Sequence, residues 1–424
     1  MSDKVSDADE LEQLPPAGYM RGSRWWRLAG FGVLFGLVGS VLALAFLGVE
    51  SALLDVIWPD DISPDAFSGS PMILVIMATA GLIVGLIRRF VPKTDEANVF
   101  KALVEGRVEP AMLPGALSVS MVSLVGGFSL GPEVPTGMIS GGTATYIAER
   151  QGLDDTSRRV GVLSAISGAW GGLFTSPYFM SAMVLEIGRS ARGINWPVAI
   201  IQIGASFIGF AIFFAVGGFA VTFDLLDLPP YDFELWHLLI AVLLGAVSAA
   251  TAVFFVLSLR IFTALGERFR HHVILSNLLA GIALGLLAMA LPLTLFLGTD
   301  GLVEVTEMGV ALGAGLLIAS ALAKVVATTA AIGFGFIGGP IFPLMFVGGT
   351  LGMAIHVLIP DLPAALTVPA MTAAVPSGVL PIPLSLSILI VVMALTSVTD
   401  AAPVLAAAVT SFLLVRGAVM HEAS

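Results

Sequence analysis

Long apolar runs without a charged side chain recur throughout this 424-residue chain, and they constrain its fold more than any other feature. Leu238–Leu259 and Val273–Leu297 are the clearest of them. A transmembrane helix needs about 20 consecutive apolar residues, and a segment inside lipid must satisfy its backbone hydrogen bonds internally. Charged residues make up only 12% of the chain, against about 25% in an average soluble domain. The sequence therefore predicts an all-α, multi-pass membrane protein.

The basic residues indicate how the chain is oriented in a lipid bilayer. They lie beside the apolar runs, as at Arg88 and Arg89, whereas the acidic stretches 50–65 and 300–307 contain no Lys or Arg. Lys and Arg favour the cytoplasmic side, and all of the nineteen except Lys324 can be placed there. We therefore expect a cell-membrane protein with cytoplasmic N- and C-termini. Lys324 is expected to face an inner vestibule or to extend towards a membrane interface.

Two apolar segments are interrupted by glycine and proline in closely similar ways. The first interruption is Gly126–Pro135 (GGFSLGPEVP) and the second is Gly333–Pro343 (GFGFIGGPIFP). Another proline break follows 42 residues after Pro135 and 40 residues after Pro343. Irregular backbone at membrane depth must be buried in protein or line a cavity. Interrupted helices at corresponding places in two halves indicate inverted repeats with a binding site near the membrane midplane.

This symmetry predicts how the chain is divided. The expected segments are a disordered cytoplasmic tail over 1–24, a first membrane half-repeat over 25–222, an extracellular connection over 223–234, a second half-repeat over 235–417 and a C-terminal tail over 418–424.

A helix that starts at such an interruption presents free backbone N–H groups and the positive end of its dipole. Proline is favoured in the first helical turn, where Pro135 and Pro343 are expected. Two such helix starts would hold a small anion weakly enough to release it. Glu133 lies within the first interruption, and an ionisable residue at membrane depth is costly and usually functional. As a carboxylate it would occupy the helix-start site, and as a protonated acid it would leave; the alternative is a structural helix cap.

A second acid, Glu186, follows the apolar run Ser181–Leu185 and precedes Arg189 and Arg192. The sequence fits two roles for Glu186 equally well: a surface ion pair with these arginines, or a place in a proton path.

Over residues 25–417 the chain resembles the CLC family of chloride channels and proton-coupled anion transporters. Gly131–Pro135 is similar to the family pattern G-[KR]-E-G-P, and Gly339–Pro343 is similar to G-x-F-x-P. The resemblance implies an inverted repeat of about 17–18 helices, several of them broken at the midplane, and a homodimer with one pore per subunit. It implies that Glu133 is the gating glutamate and that backbone amides bind the anion. The anion-binding positions would be Gly131, Val134, Ile341, Phe342, Ala97 and Asn98.

The chain also departs from the family pattern. The family's first anion-binding loop, G-S-G-I-P, is replaced by Glu96–Phe100, so that Ala97 stands in place of the selectivity serine. The position of the internal proton glutamate is Ile187; Glu186 lies one residue earlier, and that shift rotates a helical side chain by about 100°. The family's basic residue before the gating glutamate is Pro132 here, and its pore tyrosine on the last helix has no counterpart.

The predicted function is transport of a small inorganic anion, chloride first, through a pore gated by the protonatable Glu133, with channel and proton-coupled exchanger both open. Channel-like conduction, transport of fluoride or nitrate, and a transport-inactive membrane scaffold are the alternatives. An intramembrane enzyme is not expected, because the chain has no cysteine and no H-E-x-x-H motif. No cofactor or metal site is predicted, and the net charge of −11 argues against nucleic acid as a partner.

Overall fold

The structure is a computed structural model of the whole chain. It describes residues 22–58, 69–94, 99, 103, 105–187, 189–190, 193–217, 228–394 and 399–422. Ala97 and Asn98 lie outside the described residues, as do most of the predicted tail 1–24 and the first part of the predicted connection 223–234.

The described residues form fourteen α-helices, which confirms the predicted all-α class. Their bounds are α1 Ser23–Ile57, α2 Pro71–Phe90, α3 Leu113–Val125, α4 Glu133–Arg150, α5 Asp155–Leu173, α6 Pro177–Ile187, α7 Trp196–Gly217, α8 His237–Arg268, α9 Val273–Ala290, α10 Thr299–Gly333, α11 Ile341–Leu358, α12 Ala364–Val379, α13 Pro383–Met393 and α14 Ala401–Glu422. Two short strands, β1 Arg189–Ser190 and β2 Gly193–Ile194, pair antiparallel between α6 and α7.

Seven of these helices are long and apolar enough to cross a membrane, namely α1, α2, α7, α8, α9, α10 and α11. Three segments have different ends in the structure from those that the sequence suggests. The acidic stretch 50–65 does not end α1, which continues to Ile57, so Glu50 is part of the helix. α8 continues to Arg268, beyond the end of the apolar run at Leu259. α9 ends at Ala290 rather than Leu297, because Pro292 lacks a backbone N–H and starts a short 3₁₀ turn.

The described residues of 1–45, 98–113 and 136–221 form one compact unit, called unit 1. Its helices approach each other closely through small residues: a methyl group on Gly39 would collide with the backbone of Ala165, and one on Gly209 with the backbone of Gly168. In membranes, close backbone approach of this kind stabilises helix pairs through van der Waals contact.

The described residues of 46–97, 114–135 and 222–424 form unit 2. Here α2 packs along α9, and a methyl group on Gly81 or Gly281 would collide with the facing backbone. Likewise, α11 packs on α12 through Gly348 and Gly352. Unit 2 takes residues from both predicted half-repeats, which are defined by sequence symmetry; their boundaries stay a prediction.

The glycine- and proline-rich segments are breaks between helices, as predicted. The chain leaves α3 at Val125 and enters α4 at Glu133, and it leaves α10 at Gly333 and enters α11 at Ile341. Pro135 and Pro343 are each the third residue of the helix that follows, which confirms their expected place in the first turn. The later prolines, Pro177 and Pro383, start α6 and α13. Within α10, Gly313 has a left-handed φ of 76° and kinks the helix.

Candidate functional site

The two interruptions meet in unit 2 and pair through their backbones. The Gly131 N–H donates to the Gly339 carbonyl oxygen at 2.7 Å, and the Gly339 N–H donates to the Gly131 carbonyl oxygen at the same distance. Both glycines lie two residues before a helix, so the first residues of α4 and α11 are brought together. Two helix starts with their N–H groups are thereby held at one point inside the protein.

Side chains from α3 and from both interruptions fix this arrangement. The rings of Phe128 and Phe336 pack with their centroids 4.0 Å apart. The Ser120 hydroxyl donates to the Ile337 carbonyl oxygen at 2.8 Å, and the Ile337 N–H donates to the Ser123 hydroxyl oxygen at 3.3 Å. Because polar backbone groups at membrane depth are costly unless they are paired, these serines allow the second interruption to be irregular.

Glu133 is completely buried at the point where the helix starts meet. Its Oε1 accepts a hydrogen bond from the Ile341 N–H at 2.7 Å. The carboxylate of the first residue of α4 thus binds the first N–H of α11 and lies at the positive end of that helix dipole. An inorganic anion would be held by the same type of donor.

Glycine provides the space that the carboxylate occupies. A methyl group on Gly131 would collide with Glu133 Oε2, and a methyl group on Gly339 would collide with Glu133 Cδ and Oε1. Each of the two paired positions must therefore lack a side chain for Glu133 to reach Ile341.

Five of the predicted site residues come together here. Gly131, Glu133, Val134, Ile341 and Phe342 all lie at the two paired helix starts and are buried. The predicted residues Ala97 and Asn98 lie outside the described residues.

Glu186 belongs to unit 1, where it is the second-last residue of α6 and is half-buried, as is Ile187. Its assignment to a proton path or to a surface ion pair stays a prediction.

A cavity of about 790 Å³ in unit 2 leads to the helix starts. Its wall includes Val134 and residues 335–338 of the second interruption. Arg88, Arg89, Arg270, His271 and Glu267 also line it. Three arginines and one glutamate line the cavity, so its positive charge attracts anions. These arginines are among the basic residues that the charge pattern assigns to the cytoplasmic side of the membrane.

Arg88 stabilises the second interruption through hydrogen bonds, a role that was not predicted from the sequence. Its guanidinium donates to the Phe334 carbonyl oxygen at 2.5 Å and to Asn277 Oδ1 at 3.2 Å. Asn277 Nδ2 donates to the same carbonyl at 3.0 Å. Gly335 has a φ of +84°, and a methyl group there would collide with the guanidinium. A sequence signal existed in the adjacent pair Arg88 and Arg89, but it also fits a membrane-flanking charge.

Both expectations for Lys324 are wrong. The side chain is fully buried and reaches neither a vestibule nor an interface. Its ammonium donates to the carbonyl oxygens of Leu293, Leu295 and Phe296 at 3.2, 2.7 and 3.0 Å. It also lies 4.7 Å from the ring centroid of Phe346. Lys324 supplies donors for the irregular segment after α9, since the carbonyls there lack a helical partner.

Throughout the described ranges, no three His, Asp or Glu side chains form a group that could hold a metal ion. The groups that the described site presents are backbone N–H groups, one carboxyl group and the charges along the cavity.

Comparisons with known proteins agree with this architecture. The family model described as voltage gated chloride channel matches residues 79–416. Proteins named putative ion-transport protein YfeO from Salmonella newport (strain SL254) and Salmonella typhimurium (strain LT2) are 29% identical over 355 residues, which cover 79% of this chain and 82% of each relative.

Two solved structures have the same fold. One is a slow cyanobacterial Cl⁻/H⁺ antiporter, with a TM-score of 0.73, 18% identity and coverage of 94% of this chain and 95% of that chain. The other is a CLC-type fluoride/proton antiporter, with a TM-score of 0.74, 16% identity and coverage of 92% and 95%. These likenesses confirm the predicted CLC-like fold.

Proposed function

The chain belongs to the CLC family of voltage-gated chloride channels, and from that premise we propose that it moves a small inorganic anion, chloride first, through a path gated by Glu133. Membership in this family establishes the general activity, which is anion transport by a multi-pass membrane protein. The anion, the gate and the coupling to protons are our proposal.

One contact carries the proposal: the hydrogen bond between the Ile341 N–H and the Glu133 carboxylate. An ionised Glu133 blocks the start of α11, because a negative charge already occupies its donor. A chloride ion competes for that donor, and a proton on Glu133 weakens the carboxylate's hold by removing its charge. Anion entry and protonation of Glu133 therefore favour the same open state, which links the two ions at the helix starts.

The cavity beside the helix starts supports an entry route from the cytoplasm. Arg89, Arg270 and His271 lie in its wall, and Val134 brings that wall to the first turn of α4. Positive charge around a confined opening raises the local anion concentration. The donors at the helix starts then bind the anion weakly enough to release it.

The proposal includes the assembly and orientation of the protein. We propose a homodimer in the cell membrane with both termini cytoplasmic, the latter following from the basic residues beside the apolar runs. In this arrangement α1 ends on the outer side of the membrane. Glu186 is proposed as the inner proton-accepting group, in place of the family glutamate that is replaced by Ile187.

The test is a paired record of anion flux and internal pH in liposomes that contain the purified protein. We compare the unchanged protein with Glu133→Gln and with Glu307→Gln, an exposed glutamate on α10 that serves as the matched control. Anion flux should rise as the pH falls in the unchanged protein and in Glu307→Gln. In Glu133→Gln it should be independent of pH and, at alkaline pH, at least about tenfold faster, which corresponds to about 1.4 kcal/mol of barrier.

The same assay separates the alternatives. Proton movement driven uphill by a chloride gradient and lost only in Glu133→Gln indicates an exchanger, and chloride flux without protons indicates a channel. If chloride does not move, fluoride and nitrate are tested under the same conditions. The proposal is contradicted if Glu133→Gln behaves like Glu307→Gln.

A further inference from the structure

The two helix starts at the candidate site carry the same five-residue pattern, G-P-x-x-P. It occurs as Gly131–Pro135 (GPEVP) at α4 and as Gly339–Pro343 (GPIFP) at α11. In each case the first proline immediately precedes the helix, and the second proline is the third residue of the helix. The family patterns G-[KR]-E-G-P and G-x-F-x-P contain only the second proline. Pro132 and Pro340 are therefore features of this chain that the family patterns do not require.

The prolines reduce the number of hydrogen-bond donors at the start of α11. The first four N–H groups of a helix have no acceptor within that helix. In α11 these groups would belong to residues 340–343, because the Leu344 N–H already donates to the Pro340 carbonyl oxygen at 3.0 Å. Proline has no backbone N–H, so only Ile341 and Phe342 provide donors.

The start of α4 lacks donors in the same way. Pro132 precedes the helix and Pro135 is its third residue, which leaves the N–H groups of Glu133 and Val134. Three of the four prolines are buried, and Pro340 is half-buried. Each proline ring therefore places apolar carbon atoms where another residue would present an N–H.

The donors that remain already bind one negative charge, because Glu133 Oε1 accepts a hydrogen bond from the Ile341 N–H at 2.7 Å. An inorganic anion that replaces this carboxylate must exchange its hydration shell for the same small set of donors. Fluoride is smaller than chloride and binds water more strongly, so it loses more hydration free energy and needs more donors in return. A site that has lost half of its helix-start donors therefore disfavours fluoride more than chloride.

We propose that Pro132 and Pro340 are specificity-determining residues: each removes one N–H donor from a helix start, and together they make the site bind chloride in preference to fluoride. The substrate class is thus a weakly hydrated monovalent anion. This deepens the proposed function and rests on it for the place where the anion binds. Alanine fits position 340 and would restore a donor there, because Pro340 has a φ of −93° and a ψ of −5°, in the right-handed region open to L-residues.

The test is titration calorimetry of sodium chloride and sodium fluoride into the purified full-length protein. We compare the unchanged protein with Pro340→Ala, Pro132→Ala and the matched control Pro363→Ala. Pro363 is half-buried and immediately precedes α12, and it follows the far end of α11, a helix about 27 Å long. Competition from the Glu133 carboxylate affects both anions alike and cancels in the ratio of the two dissociation constants.

Chloride should bind more tightly than fluoride to the unchanged protein. In Pro340→Ala the preference for chloride should fall at least about tenfold, because a hydrogen bond to a charged group is strong enough for a change of that size. Pro132→Ala should shift the preference in the same direction, whereas Pro363→Ala should keep it within about twofold of that of the unchanged protein. A purely structural role of the prolines would weaken the binding of both anions alike and leave the ratio unchanged.

The proposal is overturned if the unchanged protein binds fluoride more tightly than chloride, or if both helix-start variants keep the ratio of Pro363→Ala. If Pro340→Ala does not fold, Pro132→Ala decides, because it restores a donor on the other helix.

The liposome flux assay separates this result from the proposed function. The expected shift in the ratio, in a protein that moves no anion, supports the specificity and contradicts only transport. If neither anion binds to the unchanged protein, the specificity is overturned together with the anion site on which it rests.

Discussion

Gly131 and Gly339 exchange two backbone hydrogen bonds of 2.7 Å, although one precedes α4 and the other precedes α11. The pair connects the two interruptions of the chain at the place where Glu133 lies. Its geometry has a direct consequence for the gate, because a methyl group on either glycine would collide with the glutamate side chain.

Gly339→Ala should expel the Glu133 carboxylate from the Ile341 N–H. The added methyl group meets the far end of a flexible side chain, so the least costly response is rotation of Glu133 away from α11. We expect anion flux at alkaline pH to rise at least about tenfold and to lose its pH dependence, as in Glu133→Gln. Gly315→Ala is the control, since a methyl group there meets no atom within 4 Å. An unchanged pH dependence in Gly339→Ala would show that Glu133 reaches the Ile341 N–H without needing the space at residue 339.

The sequence was sufficient to predict the class of fold and the central pair of interruptions. Apolar runs and their interruptions are local patterns, and the paired motifs around Glu133 and Ile341 are visible as sequence symmetry. The structure adds the hydrogen bond between them, which no local pattern contains, because it joins residues separated by 208 positions.

Individual charged residues were harder to predict, for a physical reason. Glu50, Arg88 and Lys324 each stand next to apolar sequence, and such a position suits both a membrane-flanking charge and a buried one. The difference depends on distant backbone groups: Phe334 for Arg88 and the segment after α9 for Lys324. Glu50 begins the acidic stretch 50–65 in the sequence, and only the structure shows that α1 continues past it to Ile57.

Arg88→Lys should weaken the second interruption, whereas Arg89→Lys should have little effect. Both side chains line the cavity and both variants keep the charge. Only Arg88 is hydrogen-bonded to Phe334 and Asn277, and an ammonium does not reproduce the planar fork of a guanidinium. We expect Arg88→Lys to lose about 1–3 kcal/mol of stability, measured by unfolding in detergent, and to reduce anion flux. Equal stabilities of the two variants would contradict the stabilising role of Arg88.

Arg270→Gln should slow anion entry from the cavity side and leave entry from the opposite side unchanged. Arg270 is exposed in the cavity wall, so its charge acts on anions through solvent. The effect should be about two- to threefold at low salt and should fade as the Debye length falls from about 30 Å at 0.01 M to about 10 Å at 0.1 M. Unidirectional flux in oriented liposomes measures it. Arg416→Gln, at an exposed basic residue of α14, is the control; a salt-independent loss in Arg270→Gln would indicate a structural effect instead.

Lys324→Met should destabilise the protein without altering the charge of the cavity. The variant keeps an unbranched side chain that packs on Phe346, but it removes three hydrogen bonds to buried carbonyl oxygens. Hydrogen bonds within membrane proteins contribute about 0.6–1.7 kcal/mol each, so a total loss of about 2–5 kcal/mol is expected. Equilibrium unfolding in mixed detergent measures it against Lys93→Met, an exposed lysine for which a change below about 0.5 kcal/mol is expected. If both variants unfold alike, the segment after α9 does not need the ammonium, and its carbonyl groups must be satisfied in another way.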